Sequence, residues 1–417
     1  MVNISSLPDN WELGKIKDLI SKTPLTGIKL KKRDYQDDGN YPVIDQGQDL
    51  IGGYTDKEMP VPCEVPVIVF GDHTKAIKYI DFPFVAGADG IKVIKPDAKF
   101  EPKFFYYLLQ AIQLPDKGYA RHYQYLEKEI VPIPPRPTQR EIVFKIEELF
   151  SQLDAGVAGL KHAQAALQRY RASVLKAAFE GRLVPQDPND EPITEWLRKS
   201  NITFSKTGDQ LNLPKGWIKI KLKELTSVGT GATPLRSNKA YWENGTIPWI
   251  KSGAINQSYI NQAEEFITPK ALNETNTKII QAGSLLIAMY GEGKTRGKIS
   301  ELMIDAATNQ ACATIQFNDK TILFKPYIKL FFNNFYTEMR KLASGGVQPN
   351  LNLTLIKNIK INLPPLPEQV RIVDKLQTAI SIIEKMENAI EVCFKFSEAL
   401  HQSILKEAFD GQLIKDS

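Results

Sequence analysis

Two long stretches of the chain place apolar residues three and four positions apart. The first runs through Ile142, Ile146, Leu149, Leu153, Val157, Leu160, Leu167 and Val174, the second through Ile372, Leu376, Ala379, Ile383, Ile390, Leu400 and Ile404. Such spacing predicts helices with one narrow apolar seam, as in a coiled coil, rather than the wide face of a core helix. Prolines open both stretches, at Pro134-Pro135-Arg136-Pro137-Thr138-Gln139 and Pro364-Pro365-Leu366-Pro367-Glu368-Gln369. Proline suits a first turn, where its missing amide hydrogen has no helical partner to lose. Glycines close them, within Ala177-Ala178-Phe179-Glu180-Gly181-Arg182-Leu183 and Glu407-Ala408-Phe409-Asp410-Gly411-Gln412-Leu413. A glycine there accepts the left-handed backbone that ends a helix. Residues 137–180 and 367–410 are therefore expected to be helical. Each would span roughly 65 Å at about 1.5 Å per residue; a lone helix of this kind is marginal in water, because most helix stability comes from packing the apolar seam, and the simplest partner is the other copy.

The two copies are in register without a gap, because 364 − 134 = 230 at the start and 411 − 181 = 230 at the end. Loops tolerate length changes, so a fixed length reads as a spacer. A second repeat precedes each helix. Leu7-Pro8-Asp9-Asn10-Trp11 returns as Leu213-Pro214-Lys215-Gly216-Trp217, and 213 − 7 = 206. The chain is thus a duplication of variable unit and helix, the second variable unit being longer by 230 − 206 = 24 residues. Two long repeats suggest an internal pseudo-twofold rather than a solenoid.

Between the helices the apolar pattern shortens to strands punctuated by turns. The first unit shows Tyr41–Ile44, Val65–Phe70 ending at Gly71-Asp72-His73, and Gly90–Ile94, then a short buried helix at Phe104–Leu109. The second repeats that order with Ile247–Ile250, Ser284–Met289, Ala311–Ile315 and a helix around Tyr327–Phe335. Residues 184–210 begin as a Pro/Asp-rich linker, with a short helix expected near Trp196.

Composition narrows the class without naming it. The 417 residues are 42% hydrophobic and 24% charged, with a net charge of +5, which permits nucleic acid as a partner without requiring it. Cys63, Cys312 and Cys393 are scattered and lack metal spacing, which fits a reducing cytoplasm. The opening Met1-Val2-Asn3-Ile4-Ser5 has neither the basic nor the apolar part of a signal peptide, and no run is long and apolar enough to span a membrane.

Candidate chemistry concentrates in loops at strand ends. Gly291-Glu292-Gly293-Lys294-Thr295 resembles the end of a phosphate-binding P-loop, but Ala288 stands where that motif needs glycine. The stretch reads better as a glycine-bearing loop with Lys294, Arg296 and Lys298, suited to DNA phosphates and guanine edges, against the plain alternative of a solvated basic loop. Gly71-Asp72-His73-Thr74-Lys75 holds the equivalent place in the first unit. No nucleophile with a supporting acid can be nominated beside His73, so a DNA-facing loop is preferred to a catalytic base. Lys29, Lys31, Lys32 and Arg33 form a basic cluster, a class of feature that is usually a solvated face. Ala120-Arg121-His122-Tyr123 and Gly345-Gly346-Val347-Gln348-Pro349-Asn350 sit before the two helices, and their amide and basic side chains suit base edges, the alternative being capped turns. No Asp-Pro-Pro-Tyr type motif of amino-methyltransferases, dinucleotide glycine pattern or His/Cys metal cluster is seen, so no catalytic or metal site is expected.

The duplication, the Pro-Pro-x-Pro-x-Gln entries and the Ala-Phe-x-Gly-x-Leu exits resemble the specificity subunit of type I restriction–modification enzymes. So do Ile247-Pro248-Trp249-Ile250-Lys251-Ser252-Gly253, Gly293-Lys294-Thr295-Arg296-Gly297-Lys298 and Thr308-Asn309-Gln310-Ala311. The resemblance implies an α+β fold: two mixed α/β target-recognition domains in a tandem pseudo-twofold repeat, separated by two long antiparallel coiled-coil helices. The expected boundaries are 1–135 and 213–365 for the two domains, 136–183 and 366–417 for the spacer helices, and 184–212 for the linker. It further implies a non-catalytic, cytoplasmic, DNA-binding subunit that reads a split double-stranded site, one domain per half. Two modification subunits, which bind S-adenosylmethionine and methylate adenine, would dock on it, and two motor-nuclease restriction subunits using ATP and Mg would join where present. The chain itself would hold no cofactor. The expected DNA-facing residues are Lys31, Lys32, Arg33, His73, Thr74, Lys75, Arg121, His122 and Tyr123 in the first unit. In the second they are Ser252, Tyr290, Lys294, Thr295, Arg296, Gln348 and Asn350. The other readings are a DNA-binding fragment of a single-chain methyltransferase or nuclease, disfavoured by the missing motifs, and a coiled-coil scaffold that does not bind DNA.

Overall fold

The computed structural model describes residues 7–25, 29–61, 63–87, 90–115, 117–118, 120–205, 213–290, 295–344 and 351–414. Three expected DNA-facing residues, Lys294, Gln348 and Asn350, lie outside the described residues. The chain divides into two compact units, residues 1–164 with 388–417 and residues 165–387.

Unit 1 contains β1 (Glu12–Lys15), β2 (Ile20–Thr23), β3 (Tyr41–Ile44), β4 (Gly53–Thr55), β5 (Val67–Gly71), β6 (Ile77–Ile80), β7 (Val85–Ala86) and β8 (Ile91–Pro96). Helices α1 (Pro102–Ala111) and α2 (Tyr123–Leu126), strand β9 (Ile130–Ile133) and the start of α3 (Arg136–Phe179) follow. Among the described residues the strands form an antiparallel sheet β2-β8-β5-β6, a sheet β4-β3-β7 and the pair β1-β9. Alternation along each strand gives the larger sheet two apolar faces. Ile68, Phe70 and Ile94 pack with Phe104, Phe105, Leu108 and Leu109 of α1. Val67, Val69, Ile80 and Val93 pack instead with Ile44 and Ala86 of the smaller sheet. That smaller sheet pairs β3 with β7 in parallel, so both strands deliver their chain ends to the same edge.

Unit 2 repeats the plan. It contains the end of α3, then α4 (Ile193–Lys199), β10 (Ile218–Lys221), α5 (Leu222–Leu225), β11 (Ser227–Thr230), β12 (Ile247–Ile250), β13 (Tyr259–Ile260), β14 (Glu265–Ile267) and α6 (Pro269–Glu274). Next come β15 (Leu285–Ala288), β16 (Ile299–Leu302), β17 (Ala307–Thr308), β18 (Cys312–Gln316), α7 (Lys325–Ser344), α8 (Leu353–Lys357), β19 (Lys360–Leu363) and the start of α9 (Leu366–Phe409). The sheets are β11-β18-β15-β16-β13, β14-β12-β17 with β12 parallel to β17, and the pair β10-β19.

The two long helices, α3 and α9, have 44 residues each. In unit 1 they run antiparallel: Ile142 and Ile146 share a core with Leu405, Ala408 and Phe409, and the Phe150 ring stacks on His401 at 3.8 Å. In unit 2 Val174, Ala178 and Phe179 share a core with Ile372, Val373 and Leu376, and Arg171 bonds Glu387 at 2.8 Å. The expected seam needs one correction. Leu400 is half exposed and the neighbouring His401 turns inward in its place, while Ile404 is buried as expected.

The entry and exit motifs now have physical causes. The buried Gln139 and Gln369 side-chain amides donate to the carbonyls of Pro134 and Pro364, each at 2.8 Å, tying each helix start to the proline segment before it. At the exits Gly181 and Gly411 have φ of 72° and 73°. Gly411 sits against Pro8 and Trp11 in unit 1, and Gly181 against Pro214 and Trp217 in unit 2, with no room for a Cβ. The repeated Leu-Pro-x-x-Trp element is therefore the seat on which a helix exit rests. In unit 2 the segment before α4 also docks on α9. Gln186 and the Trp217 indole both donate to the buried Glu368 carboxylate, and Arg371 pairs with Asp190 at 2.5 Å.

Short strands of mixed polarity such as β1, whose first residues are exposed, and β2 on a sheet edge carry no alternation that marks them in the sequence.

Candidate nucleic-acid interface

In unit 1 four loops converge beyond the ends of β3, β5 and β7. The Asp72 amide donates to the Gly90 carbonyl at 2.6 Å, and the Asp72 carbonyl accepts the His122 amide at 2.8 Å. The Asp72 carboxylate accepts the Tyr123 amide at 2.9 Å. His73 Nδ1 lies 3.2 Å from the Ala120 carbonyl, and the Thr74 hydroxyl donates to the Gln46 carbonyl at 2.5 Å. Thus His73, Thr74, Lys75, Arg121, His122 and Tyr123, far apart in sequence, share one cluster. Their exposures differ. Thr74 and Arg121 face solvent, while His122 is fully buried with its Nδ1 3.1 Å from the Asp72 carbonyl. His122 is therefore a brace for the loop pair rather than a surface contact, because no ring atom reaches the outside. Behind the cluster Lys78 is buried between the sheets, its ammonium 3.7 Å from the Asp45 carboxylate, and burial pushes its pKa down. Lys31, Lys32 and Arg33 are exposed, on a segment whose next residues pair Gln36 with Tyr54 of β4, and the described bonds do not join them to the Asp72 loop.

In unit 2 the corresponding loops also meet. The Thr295 hydroxyl and the Lys298 ammonium both reach the Asn256 side-chain oxygen, at 3.4 and 3.2 Å. Gly297 has φ of 87° and donates its amide to the Ala288 carbonyl at 2.8 Å, which closes the turn that presents Arg296. Among the described residues Arg296 Nε has no hydrogen-bond partner although it is buried. Ser252 opens the short turn Ser252–Ala254 directly after β12, and Tyr290 is partly exposed after β15.

A second constellation here has no local signal in the sequence. The Arg236 guanidinium lies 3.8 Å from the Trp242 ring and 4.7 Å from the Trp249 ring, and it bonds Glu265 at 2.5 Å. Lys251 reaches the same carboxylate at 2.6 Å. Burial would push the Glu265 pKa up, but Lys251 and Arg236 outweigh it and hold the carboxyl below its usual range. Beside β12 the Thr233 hydroxyl donates to the Gln310 side-chain oxygen, and the Asn309 amide donates to the Ile250 carbonyl at 3.1 Å. The Thr308-Asn309-Gln310-Ala311 and Trp249-Ile250-Lys251-Ser252 motifs were visible in sequence, but that they share one edge is set by the parallel pairing of β12 with β17. Among the described residues no group of His, Cys, Asp and Glu side chains is placed to hold a metal ion.

Each unit thus offers polar, glycine-spaced, partly cationic loops at one edge, joined to a long helix. The family model described as the type I restriction modification DNA specificity domain matches residues 8–161 and again 214–392. The chain belongs to that family. The specificity subunit of the Escherichia coli type I restriction enzyme EcoR124I/EcoR124II is 26% identical over 372 residues, covering 84% of this chain and 82% of the relative. That of Escherichia coli EcoBI is 23% identical, covering 77% of this chain and 68% of its own. Two solved structures share the fold at 18% identity. The HsdS subunit from Thermoanaerobacter tengcongensis covers 97% of this chain with a TM-score of 0.57, and a chain from a study of type I R-M complex assembly covers 97% with a TM-score of 0.68. Specificity subunits of type I systems bind DNA and are not themselves catalytic, and the tandem repeat matches bipartite target recognition. Among the described residues no helix is long and apolar enough to cross a membrane.

Proposed function

We propose that each unit reads its own half of a split DNA target through its loop cluster, and that the helix pair sets the gap between the halves. The observation that carries this is the duplication of the cluster itself: one loop assembly per repeat, built on the same parallel strand pair, with different side chains in each. Two unrelated half-sites need two readers on one ruler, and spacing then becomes geometry. In unit 2 the contacts to bases fall to Thr295, Arg296 and Ser252, with Tyr290 beside them, joined by Lys294, Gln348 and Asn350. In unit 1 they fall to His73, Thr74, Lys75 and Arg121, with Tyr123 at the base and Lys31, Lys32 and Arg33 as peripheral phosphate contacts. The target-recognition domains are taken as 1–135 and 213–365, the spacers as 136–183 and 366–417, and the linker as 184–212.

The subunit works in a cytoplasmic complex. Two modification subunits dock on it and supply S-adenosylmethionine and adenine methylation, and two restriction subunits add ATP- and Mg-dependent chemistry. Sequencing of methylated bases in a host carrying this chain and its modification partner is expected to show one bipartite motif with a fixed gap. A continuous motif, or methylation unaffected by deleting this chain, overturns the proposal.

A further inference from the structure

We infer that Lys22 and Lys92, held beside the Tyr123 ring, form a phosphate cradle at the edge of the larger sheet of unit 1, gripping the DNA backbone beside the first half-site. The inference rests on the two-reader function above and adds two residues to it. Strand register creates the site. Lys22 of β2 faces Ile94 of β8, and Lys92 of β8 faces Phe70 of β5. Alternation therefore puts both lysines on the sheet face that carries Phe70 and Ile94. Helix α2 lays Tyr123 on that same face, its ring 5.8 Å from the Phe70 ring. The Lys22 ammonium then lies 4.7 Å from the Tyr123 ring centroid, and that of Lys92 lies 5.9 Å from it.

Two features suit an anion. The ammonium groups share one ring, and Glu127, which accepts from Lys22 at 2.6 Å, is the carboxylate bonded there among the described residues. Glu127 offsets one of the two charges, and a phosphate bound here would be attracted by both ammonium groups. The Tyr123 hydroxyl is buried, so Tyr123 acts as the ring that holds the two ammonium groups in place and not as a contact itself. An open groove of about 570 Å³ runs along this edge, lined by Lys22, Thr23, Lys29 and Lys92. Among the described residues unit 2 has no counterpart. By the same register Val228 and Ala313 stand where Lys22 and Lys92 do, and Leu353 lies 230 residues on from Tyr123.

The test uses the full chain assembled with its modification subunits and a duplex bearing the methylated motif. For a Lys22→Gln/Lys92→Gln double variant, the plot of log affinity against log salt is expected to become shallower by about 1.8, two contacts at roughly 0.9 each. Phosphate-ethylation interference is expected to fade beside the first half-site alone, with the motif unchanged. The Lys22→Arg/Lys92→Arg variant keeps the charges and is expected to keep the wild-type slope. An unchanged slope in the glutamine variant, or interference lost at both halves, overturns the cradle. If inorganic phosphate at matched ionic strength raises the wild-type melting temperature without DNA, but not that of the glutamine variant, the site takes a free anion and the backbone assignment falls. If the wild-type complex does not bind the bipartite duplex at all, it is the two-reader function that fails.

Discussion

Single residues differ here in whether they read DNA or hold a reader in place. Arg296 sits on a turn closed by Gly297, and the proposed function gives its guanidinium a guanine to address, a contact worth about 1–3 kcal/mol of discrimination. Arg296→Ala, assayed in the assembled methyltransferase, is expected to relax one half of the motif and leave the other intact. Equal loss at both halves would contradict separate readers. Glu301 has the opposite kind of role. It takes bonds from Lys325 at 2.7 Å and Lys329 at 3.0 Å, and all three side chains are largely buried. Burial would raise its pKa, but the two lysines outweigh it and the folded value lies below the ordinary one. A depressed folded pKa adds stability above the unfolded glutamate value of about 4.3, lost as pH falls through the folded value. Glu301→Gln is expected to cost about 3 kcal/mol near neutral pH, since two buried ammonium groups lose their carboxylate. Denaturant unfolding of both proteins from pH 7 downward is expected to show the gap closing in acid. A pH-independent gap would mean that packing, not charge, is at stake.

At the scale of elements, the proposed spacer role of the long helices depends on length more than on sequence. Gly156 and Gly159 lie inside α3, and a Cβ at either position would meet nothing within 4 Å. Alanine there removes backbone freedom from the unfolded chain without a clash. Gly156→Ala and Gly159→Ala are each expected to raise stability by about 0.5–1 kcal/mol in thermal or denaturant unfolding, with the motif and its gap unchanged. An insertion does the reverse. Four extra residues add about 6 Å and slightly more than one turn to a helix. Placed in the α3 interior, they are expected to alter the preferred gap while both half-sites keep their bases. A change in the bases read, at constant gap, would show that the helices do more than space.

For the whole molecule, the duplication predicts modular exchange. The two units use equivalent strand pairs to carry different loops, and each helix exit rests on a Pro/Trp seat within its own compact unit. Replacing residues 213–363 with the same region of a relative of different specificity is expected to change one half of the methylated motif only. Methylome sequencing checks this directly, and a change in both halves would refute independent readers.

The sequence alone determined the helices, their ends and the twofold duplication. Those features follow from apolar spacing, proline and glycine, which act on the local backbone whatever surrounds them. It also marked the Asp72 and Arg296 loops, because glycine and polar clusters at strand ends are local signals too. Only the tertiary structure decided which of those residues can be reached. His122 looked like a contact in sequence but is sealed under the Asp72 loop, whereas Lys22 and Lys92 looked like ordinary strand lysines. Strand register put those lysines over one tyrosine ring, and parallel pairing of β12 with β17 brought Lys251 to the same edge as Asn309 and Gln310. Pairings between segments tens of residues apart depend on which surfaces bury each other, and a single chain's letters do not record that choice.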